Sequence, residues 1–224
     1  MNKIKAIIFD LDDTLVNSLK IHTKAWDILF EHHKIDYDRI PDNLRKQFLG
    51  MRIIDILKVL KEELNLKQDI EQLFNEREKI FINLFKNHVE PLDGAQESVR
   101  FFKYRGYKMA LASSGTHDYI EIAIKKMGLL EEFDVIVGGE DVQKGKPDPQ
   151  TYIKAAQKLN LKPNQCLVIE DAQKGVRSAK SAGCFCIGVE NIHTPKQNLS
   201  SADEVVMSLR QIDLETIEKL EHPK

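Results

Sequence analysis

Six short runs along this chain are apolar at nearly every position: residues 5–9, 108–112, 135–137, 165–169, 185–189 and 204–207. A strand without polar alternation has both faces covered, which is the condition of a parallel sheet layered between helices. Helical patterns lie between most of the runs. Residues 117–127 place Ile120, Ile124 and Met127 on one face, with Gly128 as a stop. Pro149 sits at the first turn of the helix over TYIKAAQKL, and residues 172–182 form another that ends at Gly183. The alternation predicts an α/β fold with a Rossmann-like, doubly wound parallel sheet.

One interval departs from that rhythm. Roughly ninety residues separate the first run from the second, far beyond an ordinary crossover. Residues 16–90 lack strand patterns and read as helices over 22–33, 42–49, 53–64 and 69–86. They predict a small all-helical cap inserted into a core made of residues 1–15 and 91–224. A domain inserted beside a functional cluster can serve as its lid.

Composition removes several classes. A formal net charge of −2 carries no electrostatic footprint for nucleic acid or an anionic membrane. No apolar run approaches the ~20 residues of a membrane-spanning helix, and the apolar start is broken by Asp10, Asp12 and Asp13, unlike a signal peptide. Cys166, Cys184 and Cys186 are few and odd in number, which fits a reduced, cytoplasmic protein. Cys184 and Cys186 share a strand face, as buried thiols do; a C-x-C metal or redox site is the alternative.

In such a sheet, ligands bind beyond the carboxyl ends of the strands. The first run is followed by Asp10, Asp12, Asp13 and Thr14, and the second by Ser113, Ser114 and Gly115. Lys146 in GKPDP follows the third across a loop, and Glu170 and Asp171 close the fourth. Carboxylates that converge this closely repel by about 4 kcal/mol per pair at 4 Å and an effective dielectric of ~20, so they require a cation. Oxygen ligands of this kind suit Mg²⁺. Asp10 is then a candidate nucleophile toward phosphorus, and Asp12 a candidate acid and base. Ser113 and Lys146 are candidate phosphoryl ligands, joined by backbone N–H groups around Ser114 and Gly115. Each piece also has an ordinary use. Asp12 or Asp13 can cap a helix, Ser113–Gly115 can be turn chemistry, Lys146 can be solvated, and Glu170–Asp171 can favour a helix start. All four in order at successive strand ends is a far rarer coincidence.

In these motifs the chain resembles the haloacid dehalogenase superfamily. Asp10-Leu11-Asp12-Asp13-Thr14 matches its D-x-D-x-T motif, Ser113 in LASSG its second, Lys146 in KPDP its third, and Glu170-Asp171 its acidic pair. The resemblance implies Asp10 as nucleophile and metal ligand, and Asp12 as acid/base with its backbone carbonyl on the metal. It implies Glu170 and Asp171 completing or orienting the metal shell, and Thr14 supporting the aspartate loop. Asp13 stands where many members have glycine, and Asn17 where an aspartate is common. The metal implied by the acidic pair argues against dehalogenation.

His22, Ala25 and Trp26 resemble the H-x-x-A-W stretch of the β-phosphoglucomutase-like branch, whose histidine faces the site. Cap packing is the alternative for His22 and the expectation for Trp26. Arg52, in the turn Gly50-Met51-Arg52, is a candidate grip on sugar hydroxyls or a second anion, with plain exposure as the alternative. Arg77 and Lys79 are weaker candidates of the same kind, with a solvated face as the expectation. The mutases carry a lysine shortly after the second motif, where this chain has Ser114-Gly115-Thr116-His117. The resulting expectation is a Mg²⁺-dependent, monomeric phosphatase of a small phosphorylated metabolite such as a sugar phosphate. A sugar phosphomutase is the alternative, and a non-catalytic binding module a more distant one.

Overall fold

The computed structural model describes residues 4–222. Six strands form one parallel sheet: β1 (Ala6–Phe9), β2 (Lys108–Ala112), β3 (Val135–Val137), β4 (Cys166–Glu170), β5 (Phe185–Val189) and β6 (Glu204–Val206), ordered β3-β2-β1-β4-β5-β6. The chain winds outward from β1 to β3, then returns to the other side of β1. The order therefore reverses between β1 and β4, which pair Phe9 with Ile169.

Side-chain alternation explains why both faces are apolar. Ile7, Phe9, Leu111, Leu167 and Ile169 point to one face. They meet helices α5 (Ala95–Tyr104), α6 (His117–Lys126) and α9 (Leu214–Glu221) through Phe102, Ile120 and Ile217. Ala6, Ile8, Ala110 and Val168 point to the other, against Tyr152 and Ala155 of α7 (Gln150–Lys158) and Val176 of α8 (Gln173–Ala182). The cysteines are buried in this second layer as expected, and burial pushes Cys166 and Cys184 up to about 12, inert as thiolates.

The long interval holds α1 (Leu19–His33), α2 (Asp42–Arg45), α3 (Ile53–Leu64) and α4 (Ile70–Phe85). Asp69 caps α4 by accepting from Gln72 N, and Asn65, at φ 53°, ends α3. The second helix is shorter than expected. Past Arg45 the chain tightens into i→i−3 bonds from Gln47 and Phe48, then turns at Gly50, φ 76°. These helices have apolar centres of their own, Phe30, Ile40, Ile56 and Leu60 in one and Leu29, Leu57 and Leu73 in another. Phe81 and Phe85 of α4 also pack edge-on to Tyr119 of α6, at 4.9 and 4.8 Å between centroids. The outgoing and returning segments pair at Val16 and Pro91, with Leu92 N donating to Leu15 O. Among the described residues no helix is long and apolar enough to cross a membrane.

Candidate active site

Because β1 and β4 are neighbours at the reversal point, the residues after them meet. Asp10 leaves β1, Glu170 ends β4, and Asp171 follows. All three are buried, and ligand oxygens of the three lie within 4.8 Å of one another. The loop after β3 brings in Lys146, 3% exposed, whose Nζ donates to Asp10 Oδ1 at 2.5 Å, Glu170 Oε1 at 2.7 Å and Ala112 O at 3.2 Å. Glu170 is further held by Tyr152 Oη (2.9 Å) and Ala172 N (2.8 Å), and Asp171 by Thr14 Oγ1 (3.0 Å). Thr14 thus supports the acidic floor directly. Asp13, at φ 58°, turns its carboxylate away to accept from Ser18 N and Leu19 N at the start of α1. Of Asp12 and Asp13, it is Asp13 whose carboxylate receives N–H groups at a helix start, and Asp12 faces the site. A left-handed φ at Asp13 also explains why glycine or aspartate suits that position.

The floor carries excess negative charge. Burial lifts the Asp10 carboxyl well above its ordinary value, and Glu170 and Asp12 add to this although Lys146 opposes it. Burial lifts Asp171 likewise, with Glu170, Asp13 and Asp10 adding to it. Burial disfavours charge on Lys146 too, but Asp10 and Glu170 outweigh it and raise its pKa. One ammonium does not balance three buried carboxylates. A divalent cation would, and Asp10 and Asp171 have fewer protein partners than Glu170, which mainly orients Lys146.

Asp12 sits beside this floor in a cage of donors. Tyr119 Oη reaches Oδ1 at 2.6 Å, His22 Nε2 is 3.2 Å from the same oxygen, and Ser113 Oγ donates to Oδ2 at 3.3 Å. Burial alone would raise the Asp12 carboxyl, but the His22 contact, with Tyr119, outweighs it and brings it down to about 2. The other ring nitrogen of His22 lies 2.5 Å from Arg77 Nη2. Arginine has no acceptor, so Nδ1 must accept and Nε2 must carry the proton toward Asp12. Arg77 thereby fixes the tautomer that donates to Asp12.

Arg77 corrects the expectation of a solvated side chain. It is fully buried, lies over the Trp26 and Phe81 rings at 5.0 and 4.8 Å, and pairs with Glu78 at 2.9 Å. On α4 it occupies the buried stripe of Leu73, Phe81 and Phe85, and its charge is accommodated by rings and Glu78. Lys79, two residues on, is exposed as expected. Arg77→Met should lower kcat/KM about tenfold by releasing the histidine tautomer, with Arg77→Lys recovering part of the loss. Steady-state kinetics with a titration of metal affinity checks this; a matching loss of metal affinity would place Arg77's effect elsewhere.

Arg52 is the second correction. Its guanidinium does not line the cavity toward the floor. It chelates Asp55 (2.6 and 2.9 Å) and donates to the carbonyls of Gly139, Val142 and Gln143 at 3.2, 2.7 and 2.9 Å. A carbonyl cluster attracts a forked cation as effectively as an anion does, so Arg52 ties the inserted helices to the loop that carries Lys146. Ser114 makes a second tie, Oγ to Gly50 O at 2.9 Å, which leaves its backbone rather than its hydroxyl as a phosphate contact. Ser113 Oγ accepts from Gly115 N at 2.9 Å and remains beside Asp12. His22 and Trp26 both line a cavity of about 170 Å³ that opens over Asp10, Asp12 and Asp171.

Residues 7–189 match the sequence signature of the haloacid dehalogenase-like hydrolases. The chain belongs to that family. This hydrolase is 31% identical over 208 residues to validoxylamine A 7′-phosphate phosphatase of Streptomyces hygroscopicus subsp. limoneus, covering 93% of this chain and 95% of the relative. It is 30% identical over 184 residues to a phosphorylated carbohydrates phosphatase of Thermotoga maritima, covering 80% and 82%. Its fold superposes on a β-phosphoglucomutase of Clostridium difficile with a TM-score of 0.80 at 26% identity, covering 96% of each chain. The hydrolase is therefore a phosphatase-type enzyme of the superfamily's β-phosphoglucomutase-like branch, with the α/β architecture expected from its sequence.

Three participants in the hydrolase's site had no sequence signal, and a fourth had a misleading one. Tyr119 and Tyr152 lie on the buried faces of their helices, yet their hydroxyls hold Asp12 and Glu170. Burial first, then Asp12 and Glu170, push their pKa values well up, so both remain phenols and donate. Gly175 lies against the Glu170 carboxylate. Arg77 is the fourth.

Proposed function

We propose that the chain is a Mg²⁺-dependent phosphatase of a small phosphorylated metabolite of the sugar-phosphate kind, acting through an aspartyl-phosphate on Asp10. In this reading residues 1–15 and 91–224 form the catalytic core, residues 16–90 its cap, and the protein works as a cytoplasmic monomer. The observation that carries it is the buried floor of Asp10, Glu170 and Asp171 with a single ammonium, Lys146, beside a caged Asp12.

Asp10 supplies the attacking oxygen, and Lys146 and Ser113 bind phosphoryl oxygens in the same pocket. Asp10, Asp171 and the Asp12 carbonyl would hold Mg²⁺ with Glu170 orienting the set, and the ion would offset charge on the phosphate and carboxylates. Asp12 protonates the leaving oxygen and later takes a proton from the attacking water. At about 2 its carboxyl rests ionised, the form needed for the second step; for the first it must take up a proton from solvent as substrate displaces Tyr119 or His22, and it then passes that proton to the leaving oxygen. Excluding bulk water is the cap's part, with His22 facing the leaving group. The relatives' names support the sugar-phosphate class. A phosphomutase needs a place for a second phosphate. Arg52 is committed to core carbonyls, and His117 to Asp141 at 2.8 Å, which favours hydrolysis.

Phosphorus NMR time courses with hexose and pentose phosphates, with and without Mg²⁺, test the reading. Growth of inorganic phosphate that stops on chelation is the expected result. Isomerisation of glucose 1-phosphate to the 6-phosphate without free phosphate would make the enzyme a mutase. Turnover undiminished by chelation would remove the metal from the reading.

A further inference from the structure

The cavity has two unlike ends. Its floor is the carboxylate cluster, and its roof is carbon: Trp26, Phe48, Leu49, Met51, Ile53 and Ile56. All but Ile56 are only half-buried. The Trp26 ring is held in place, stacked on Phe30 at 5.4 Å with the Arg77 guanidinium 5.0 Å from its centroid.

The polar side chains that the inserted helices contribute to this lining are already engaged. Thr23 Oγ1 donates to Leu19 O at 3.0 Å, and His22 bridges Asp12 and Arg77. Arg45 donates through Nε to Ile40 O at 2.8 Å, flanked by Asp38 and Asp42. Arg52 lies outside the lining. A leaving group covered with hydroxyls would meet a wall short of partners for them, and a buried unpaired hydroxyl is unfavourable. A flat ring or short alkyl chain would instead displace water from carbon and lie against a fixed indole.

We infer that, among small phosphorylated metabolites, the enzyme prefers monoesters with one phosphate whose compact leaving alcohol turns an apolar face to the cap, a deoxygenated sugar or an aryl-alkyl or alkyl alcohol ahead of a fully hydroxylated sugar. The inference rests on the phosphatase reading and narrows its substrate class. Trp26, Phe48, Met51 and Ile53 are the specificity-determining residues.

The test compares benzyl phosphate with glucose 6-phosphate, two esters of primary alcohols, and adds acetyl phosphate, whose leaving group is too small to need the cap. Quenching of Trp26, the chain's only tryptophan, by benzylphosphonate and by methylphosphonate gives a binding readout independent of turnover. The expected kcat/KM for benzyl phosphate exceeds that for glucose 6-phosphate by about tenfold or more, and Met51→Gln lowers that ratio several-fold. Benzylphosphonate should bind about tenfold more tightly than methylphosphonate. Hydrolysis of acetyl phosphate with glucose 6-phosphate preferred over benzyl phosphate would overturn the inference and leave the phosphatase standing. If none of the three esters is hydrolysed, the phosphatase reading falls; tighter benzylphosphonate binding would still support the apolar subsite, and equal binding would overturn it.

Discussion

Asp10→Asn is expected to lower turnover by about 10⁴-fold or more, because it removes the nucleophile and not merely a contact. The same change should leave the metal-free protein as stable as before, or raise its melting temperature by about 2–4 °C, the shift worth ~1 kcal/mol at this size. Two effects compete. Breaking a buried ion pair by removing one partner normally costs about 3–5 kcal/mol. Lys146, however, keeps Glu170 at 2.7 Å, and the asparagine carbonyl still accepts where Asp10 Oδ1 did. Against that small loss stands removal of one of three clustered buried carboxylates, of which two pair with the one ammonium. Calorimetry in chelator beside steady-state kinetics reads both halves. A variant that loses several degrees would show that the Lys146–Asp10 pair outweighs the crowding of acids, and one that keeps turnover would remove Asp10 as nucleophile.

Gly175→Ala should damage the site without touching a reacting group. A Cβ at Gly175 would sit 1.5 Å from Glu170 Oε1 and 1.9 Å from its Cδ. The backbone there needs no left-handed φ, so the glycine is required by close approach alone. Glu170 must then move, and with it go its bonds to Lys146, Tyr152 and Ala172 N. Overpacking of this kind costs about 1–3 kcal/mol. A misplacement of ~1 Å in a catalytic constellation costs about 100-fold in rate. The double-substituted Glu170→Ala/Gly175→Ala protein separates the parts. It should be as stable as Glu170→Ala alone, since the clash is gone, and remain slow, since Lys146 has lost its orienting carboxylate. A double variant less stable than Glu170→Ala alone would mean that the alanine strains α8 itself.

Much of this molecule is legible along the chain because the relevant information is local. Six runs apolar at nearly every position imply a sheet covered on both sides. Residues 53–64 appear as α3 at their expected bounds because one apolar stripe and one αL residue, Asn65, define them. Asp10, Asp12 and Thr14 are close in sequence, and Glu170 and Asp171 are adjacent, so strand ends alone place them at the reversal point.

What only the tertiary structure decided is long-range pairing of groups whose residue types have several uses. Arg77 looks solvated until Trp26, Phe81, Glu78 and His22 surround it from two helices. Arg52 looks like an anion grip until three carbonyls 87 to 91 residues away claim its donors. Tyr119 has the period of a core residue, and its hydroxyl finds Asp12 at a separation of 107 residues. The sequence by itself therefore determined the sheet, the insertion and the acidic floor. The folded chain decided which donors hold that floor and what chemistry its roof presents, because hydrogen bonds and buried charges are satisfied by whichever partners the packing brings within ~3 Å, and sequence order does not encode those meetings.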